Sequence, residues 1–408
     1  MTNKAMHEQM VKKEGVLMNF QSNRVAQIPP YTFAEVKKIK EAMIKSGVDV
    51  IDLGIGDPDL PTPRHIVEKL VEEVQNPDNM KYPSFIGCTE FRQAVADFYK
   101  RQYNVDLDPE TEVLALIGSK EGIAHLIPTL VDPGDYVLIP DPSYPVYRMA
   151  TYLANGQYYN MPLRKENNFE PQFHSIPEDI ISKAKLMFLN YPGNPTTATV
   201  GLEFFERAVT FAKQHQIPIA HDSAYNMVTF EGYQAPSILQ VEGAKEIAVE
   251  FGSLSKTYNM TGWRIGYLVG NKDIITSLSI LKSNVDTGQF TSIQKAAAYA
   301  LNADQSCIQQ HNQIYYERMK AMIEVLKTIG VHVDPPKGSF FIWAPVPEGY
   351  TSNEFAREVL EQTGVIITPG NVFGPSGEGY FRISLSVPND RLFDAVERIN
   401  RKLKITAI

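Results

Sequence analysis

Cysteine is nearly missing from this chain: its 408 residues include two thiols, Cys88 and Cys307, far apart and in no metal-ligand spacing. That scarcity excludes a disulfide framework and a cysteine-based zinc site, and it points to a reducing, cytoplasmic setting. The histidines form no ligand spacing either, so no metal is expected. An excess of positive charge is also missing. The formal net charge is −8, which argues against nucleic acid as the main partner, because a phosphate backbone requires a basic face. No apolar run approaches the roughly 20 residues of a membrane-spanning helix. The opening "MTNKAMHEQMVKKEG" is too polar for the apolar stretch of a signal peptide. Residues 1–18 read as a flexible extension outside the fold, and no internal repeat or low-complexity linker follows.

What is present is an ordinary globular composition, 43% apolar and 21% charged, in a length that suits two domains or one large domain with a lobe. Apolar runs suggest strands at "EVLALIG" (112–118), "DYVLIP" (135–140), "LMFLN" (186–190), "IPIAHD" (217–222), "IAVEFGS" (247–253) and "IGYLVG" (265–270). Helical patterns such as "GLEFFERAVTFAKQHQ" lie between most of them. Apolar strands separated by helices predict an α/β fold: a large domain with a mostly parallel central sheet flanked by helices. The last strand follows its predecessor closely enough to run antiparallel. From about Asp304 the pattern changes to a long amphipathic helix, "GSFFIWAPV", a helix at 352–363, "VIITPG", "GYFRISLSV" and a terminal helix. That pattern predicts a smaller α+β domain. Gln27–Leu53, with helix then strand character, can join it, so both termini contribute. The expected divisions are 19–60 and 301–408 for the small domain and 61–300 for the large one.

Ligands of an open parallel sheet bind outside the carboxyl ends of its strands. The residues that follow these strands are polar and specific: Ser119, Tyr144, Asn194, Asp222, Tyr225, Ser253 and Lys256. "GSKEG" before a helix offers backbone N–H groups and a dipole to a phosphate. Ser253 and Arg264 can add donors to the same dianion. Asp222, enclosed at a strand end, requires a cationic partner to stay ionised, and a protonated ring nitrogen supplies one. Tyr144 can stack on a planar ring, while Asn194 and Tyr225 can hydrogen-bond a ring oxygen. Lys256 is an amine that becomes nucleophilic once burial disfavours its charge. Phosphate, pyridinium nitrogen, phenolic oxygen and aldehyde together describe pyridoxal 5′-phosphate (PLP), which joins a lysine amine. Each residue alone has a plainer reading. Lys256 could be a solvated turn residue, Asp222 a helix cap, Asn194 turn chemistry, Tyr144 packing, and Lys120 a side chain pointing to solvent. His221 reads as packed.

"LGIGDPD", "NYPGNPT", "HDSAY" and "SLSKTYNMTGWRIGY", in that order from roughly Arg24 onward, resemble the signatures of the class I/II aminotransferases of PLP fold type I. The resemblance implies that Lys256 is joined to the cofactor and carries the proton between substrate Cα and cofactor. It assigns Asp222 to the pyridinium nitrogen, Asn194 and Tyr225 to the ring oxygen, and Tyr144 to the ring face. Ser119, Lys120, Ser253, Ser255 and Arg264 would hold the phosphate. Arg382 in "YFRISLS" would grip the α-carboxylate shared by amino acid and 2-oxo acid substrates, with Gly56 and Asn194 beside it. Tyr82 would reach the phosphate of a neighbouring subunit, which implies a homodimer with shared active sites. "KYPSFIGCTEFRQAVADFY", "LALIGSKEGIAHL", "IPDPSYPVYR" and "LKSNVDTGQFTSIQ" most resemble the bacterial LL-diaminopimelate aminotransferase branch. That implies exchange with the glutamate/2-oxoglutarate pair in amino acid biosynthesis. Aromatic, alanine and aspartate aminotransferases share these motifs, and a PLP β-lyase on the same scaffold is the rival chemistry. Side-chain specificity is expected near Tyr31 and in the partner-derived stretch Asn284–Gln289.

Overall fold

The computed structural model describes residues 20–28 and 40–405. The extension expected at 1–18 and the specificity segment expected near Tyr31 lie outside the described residues. The chain divides into two compact units, Met1–Ser46 and Gly47–Ile408. In the first, the short helix Asn23–Ala26 is capped by Ser22, whose hydroxyl accepts the Val25 N–H at 3.2 Å.

The second unit holds the strands β1 (Ile51–Asp52), β2 (Val113–Leu116), β3 (Tyr136–Asp141), β4 (Gln157–Pro162), β5 (Ala184–Asn190) and β6 (Ile219–Asp222). It continues with β7 (Ala248–Ser253), β8 (Gly266–Gly270), β9 (Phe341–Pro345), β10 (Val365–Ile366), β11 (Thr368–Pro369) and β12 (Tyr380–Ser384). Seven of these form one sheet in the order β2-β8-β7-β6-β5-β3-β4. Within it, β4, β3, β5, β6 and β7 pair in parallel, and β8 is antiparallel to both β7 and β2. This is the mostly parallel α/β sheet expected from the apolar runs, with the antiparallel strand where the short connection after β7 requires it.

Side chains alternate across the sheet and fill two different cores. Met187 and Leu189 of β5 pack with Phe91, Phe204, Phe205 and Ala297. Their neighbours Leu186 and Phe188 pack with Ile123, Leu126, Tyr147 and Leu278 on the opposite face. The helices fit that scheme through one apolar stripe each. In Leu202–His215 the buried residues are Phe204, Phe205, Ala208, Val209 and Ala212. Its first turn carries Glu203 and its last turn Lys213 and His215, which complement the helix dipole. Each fully buried Phe or Leu contributes about 1.5–3 kcal/mol by leaving water.

A third core gathers Ile51, Leu53, Met319, Phe340, Phe355, Ile383 and Leu392 with Tyr225 and Val228. Here β11-β12-β9 form an antiparallel sheet, and β1 pairs in parallel with β10, Ile51 opposite Val365. Residues 51–53 therefore belong to the same core as residues more than 300 positions later. No described helix is long and apolar enough to cross a membrane.

Candidate active site

Asp222 ends β6 and Asn190 ends β5, directly opposite each other in the parallel ladder. The Asn190 side chain ties this edge together. Its Nδ2 donates to the Asp222 carbonyl at 2.7 Å, and its Oδ1 accepts the Asn194 N–H at 2.8 Å. Beside them β7 runs into the short helix Leu254–Thr257, which carries Lys256. Ser253 caps that helix by accepting the Ser255 N–H at 3.3 Å, and both serines are buried. Lys256 Nζ donates to the Gly56 carbonyl at 3.1 Å and lies 5.7 Å from the Phe340 ring. A loop from the third core thus meets the edge of the large sheet.

That loop, residues 53–59, is anchored firmly. Arg318 is 2% exposed and forks onto Asp59 at 2.7 and 2.9 Å. Gly54 offers its carbonyl to Thr368 Oγ1 at 2.9 Å and to Arg382 Nη2 at 2.7 Å. Arg382 Nη1 donates to Asn194 Oδ1 at 2.7 Å, and the Phe341 and Phe373 rings lie 4.1 and 4.7 Å from its guanidinium carbon. Gly56 packs so tightly that a Cβ there would stand 2.5 Å from Phe341 Cζ. Asn194, Lys256, Gly56 and Arg382 therefore come together with Asp222 and Tyr225, whose ring sits 5.4 Å from Phe340 and 5.6 Å from Phe341.

On the other side of Lys256, β2 leads through Gly118 into the helix Ser119–Leu130. Gly118 has φ +77°, and the Arg264 guanidinium lies against its Cα where a side chain would otherwise stand. Gly266 likewise leaves space for the Ser119 N–H, which a Cβ would approach to 2.9 Å. Arg264 itself takes φ 54° and returns Nη1 to the Thr261 carbonyl at 2.9 Å. Gln289 holds this turn by donating to the Trp263 carbonyl at 2.7 Å and to that of Arg264. Tyr144 is half-buried and edge-on to Tyr147 at 6.1 Å. Lys120 is exposed, and Tyr82, at 91% exposure, stands in solvent rather than in this cluster.

The electrostatics follow from enclosure. Burial is the main influence on Lys256 and brings its amine down to about 8, with Arg264 and Arg382 adding to the effect against Asp57. Burial likewise raises the Asp222 carboxyl, opposed by the Tyr147 hydrogen bond and by His221. Burial also raises the Tyr225 phenol, while Arg382 opposes it. Asp222 Oδ2 accepts from Tyr147 at 2.7 Å; Oδ1 is buried with no hydrogen-bond partner. An enclosed carboxylate with one idle oxygen is a receptor for a cationic donor.

Several contributors were not singled out by sequence reasoning. Tyr147 lies three residues after Tyr144, inside the same "DPSYPVY", and stacks on Phe188 at 4.6 Å. His221 is packed, as expected, but not inert. Its Nδ1 lies 2.8 Å from Glu250 Oε2 and its Nε2 3.0 Å from the Tyr191 carbonyl. Glu250 also accepts from Tyr99 at 2.6 Å and from the Ile238 N–H at 3.0 Å. Strand alternation puts this pair on the sheet face opposite Asp222. Among the described residues Glu121, His125 and Asp286 stand within metal-ligand reach of one another. The Lys282 ammonium already lies 3.0 Å from both carboxylates.

Residues 48–399 match the family model described as aminotransferase class I and II. The chain belongs to this family. An LL-diaminopimelate aminotransferase of Aquifex aeolicus is 53% identical over 384 residues, covering 94% of this chain and 99% of the relative. Another from Moorella thermoacetica is 52% identical, covering 94% and 98%. Among solved structures, substrate-bound BacF from Bacillus subtilis superposes on this aminotransferase with a TM-score of 0.90 at 38% identity, covering 94% and 98%.

Proposed function

We propose that this aminotransferase uses PLP to exchange an amino group between LL-diaminopimelate and 2-oxoglutarate. The observation that carries the chemistry is the idle, buried Oδ1 of Asp222 in the same cluster as Lys256. A ring N–H fits that oxygen, and its positive charge offsets the burial that otherwise neutralises the carboxyl. The substrate assignment is supported by relatives bearing that name at 53 and 52% identity over nearly their whole length.

When bound, PLP supplies an aldehyde that joins amines and a ring that accepts electrons from the substrate Cα. The chain's own residues then have separable tasks. Lys256 Nζ would be the amine that holds the cofactor's aldehyde and would carry the proton to and from the substrate Cα. With its amine near 8, roughly a tenth is neutral at about pH 7, several hundredfold more than for a solvated lysine. Asp222 holds the ring nitrogen, and Tyr147 fixes the second carboxylate oxygen. Asn194 and Tyr225 bind the ring oxygen, and Tyr144 covers the ring face. Ser119 at its helix N-terminus, Lys120, Ser253, Ser255 and Arg264 bind the phosphate. Arg382 takes the α-carboxylate of both substrates with Gly56 and Asn194 beside it. Phe340, Phe341 and Phe373 keep water from the lysine and the arginine.

We assign Tyr82 to the phosphate of a second copy in a cytoplasmic homodimer; its exposure in the single chain supports that role. We assign 19–60 and 301–408 to the small domain and 61–300 to the large one; the pairing of β1 with β10 supports this for residues 51–52. A donor panel tests the function: LL-diaminopimelate, Phe, Ala, Asp and Met, each with 2-oxoglutarate. LL-diaminopimelate is expected to give the highest kcat/KM. A higher value for any other donor refutes the substrate, and consumption of the donor with ammonia released and no glutamate formed refutes the transfer.

A further inference from the structure

A buried ion pair with no role above ties the loop carrying Phe373 to the large sheet. Asp141, the last residue of β3, is 2% exposed. Its Oδ1 accepts from Arg148 Nη2 at 2.7 Å, while its Oδ2 accepts from the Ser376 N–H at 3.1 Å and the Ser376 hydroxyl at 2.7 Å. Arg148, from the helix Val146–Leu153, engages all three guanidinium nitrogens. Its Nη1 donates to the Phe373 carbonyl at 2.7 Å, and Nε and Nη2 both reach Asn160 Oδ1 at 3.2 Å. The Phe373 carbonyl accepts a second bond, from the Ser143 N–H at 2.9 Å. Glycine makes this approach possible. Gly374 has φ +136°, and a Cβ there would overlap Asp141 Oδ1 and stand 2.5 Å from Arg148 Nη2.

The residue held by its carbonyl is the one whose ring touches Arg382. Phe373 is 1% exposed, its ring lies 4.7 Å from the Arg382 guanidinium carbon, and Trp343 meets it edge-on at 6.0 Å. An aromatic face attracts a guanidinium, more strongly where both are desolvated. The orientation of that planar fork decides whether it takes a carboxylate with two bonds or one.

We infer that Asp141 and Arg148 are positioning residues for substrate binding: they fix the 370–377 loop so that Phe373 sets the angle of the Arg382 guanidinium. This rests on the reading of Arg382 as the carboxylate-binding residue. A purely structural ion pair has no need to place a guanidinium donor on the carbonyl of the residue packed against Arg382. Misplacement of a binding group by about 1 Å can cost up to a hundredfold in kcat/KM, so the loop's anchorage reaches substrate binding although neither residue touches substrate.

Three variants test this in the holoenzyme. Arg148→Lys keeps the charge and loses the fork. Phe373→Leu keeps the burial and loses the ring face. The double variant Asp141→Asn/Arg148→Met removes the pair without leaving a lone buried charge. Steady-state kinetics, PLP affinity of the apoprotein and Tm are measured for each, with Arg382→Lys as reference. Each variant is expected to raise KM for both the amino donor and 2-oxoglutarate about tenfold. PLP affinity is expected to stay at the wild-type level and kcat to change by less than about threefold, which is smaller than the KM effect. Wild-type KM values in Phe373→Leu and the double variant overturn the inference. A rise in KM matched by parallel losses of PLP affinity and Tm overturns it too, since it reveals a structural role only. Unchanged KM values in Arg382→Lys refute the reading of Arg382 itself, whereas weakened Arg382→Lys beside a normal Arg148→Lys refutes the anchorage alone.

Discussion

Replacing Lys256 by Met removes a charge that the folded apoprotein holds at a cost. The amine falls from 10.5 to about 8 on folding, chiefly through burial. At 1.36 kcal/mol per unit, that difference destabilises the folded apoprotein by about 3 kcal/mol wherever the lysine is protonated in both states. The direction is fixed by proton binding. Below about pH 8 both states hold the proton and the full penalty applies; between about 8 and 10.5 the unfolded chain binds more protons, so stability rises with pH. Met is apolar and of similar length, so it keeps the packing against Phe340 without the charge. Apo Lys256→Met should therefore be more stable than the apo wild type by about 3 kcal/mol near pH 7, and by about half that or less near pH 9.5. Urea unfolding of the two apoproteins at both pH values measures the gap. A Met variant no more stable than wild type near neutral pH refutes the reasoning, as does a gap that ignores pH.

Two further outcomes follow from buried charges. Asp222→Asn should weaken PLP binding about ten- to a hundredfold, the worth of a charge-assisted hydrogen bond, without lowering apoprotein stability; titration of PLP into the apoprotein measures it. Arg318→Met strands Asp59 and should cost about 3–5 kcal/mol, read from urea unfolding, while loosening the loop that carries Gly56 and raising KM.

Strands buried on both faces announce themselves as apolar runs, which is why β2, β3, β5, β6, β7 and β8 were legible within a few residues. β4 was not. It is an edge strand, paired only with β3, and its sequence "QYYNMP" is half exposed, so its pattern lacks the continuous apolar character of its neighbours. Residues immediately after strands were legible because chain order places them at one edge of the sheet. Partners supplied by another face or another core were hidden. Tyr147 reaches Asp222 from a helix, while Phe341 reaches Arg382 from the neighbouring strand β9 and Phe373 from a loop distant in sequence from β9. Nothing in "GNVFG" marks Phe373 as anything but core. The Asp141–Arg148 pair was concealed differently: a separation of seven residues reads as unremarkable until the turn after β3 folds the helix back on it.

Borohydride treatment of the purified holoenzyme, followed by peptide mapping by mass spectrometry, tests the central claim most directly. The account predicts a reduced pyridoxyl group on the peptide that contains Lys256, and its loss from that peptide in Lys256→Ala. A pyridoxyl group on a different lysine, or none on any peptide, contradicts it.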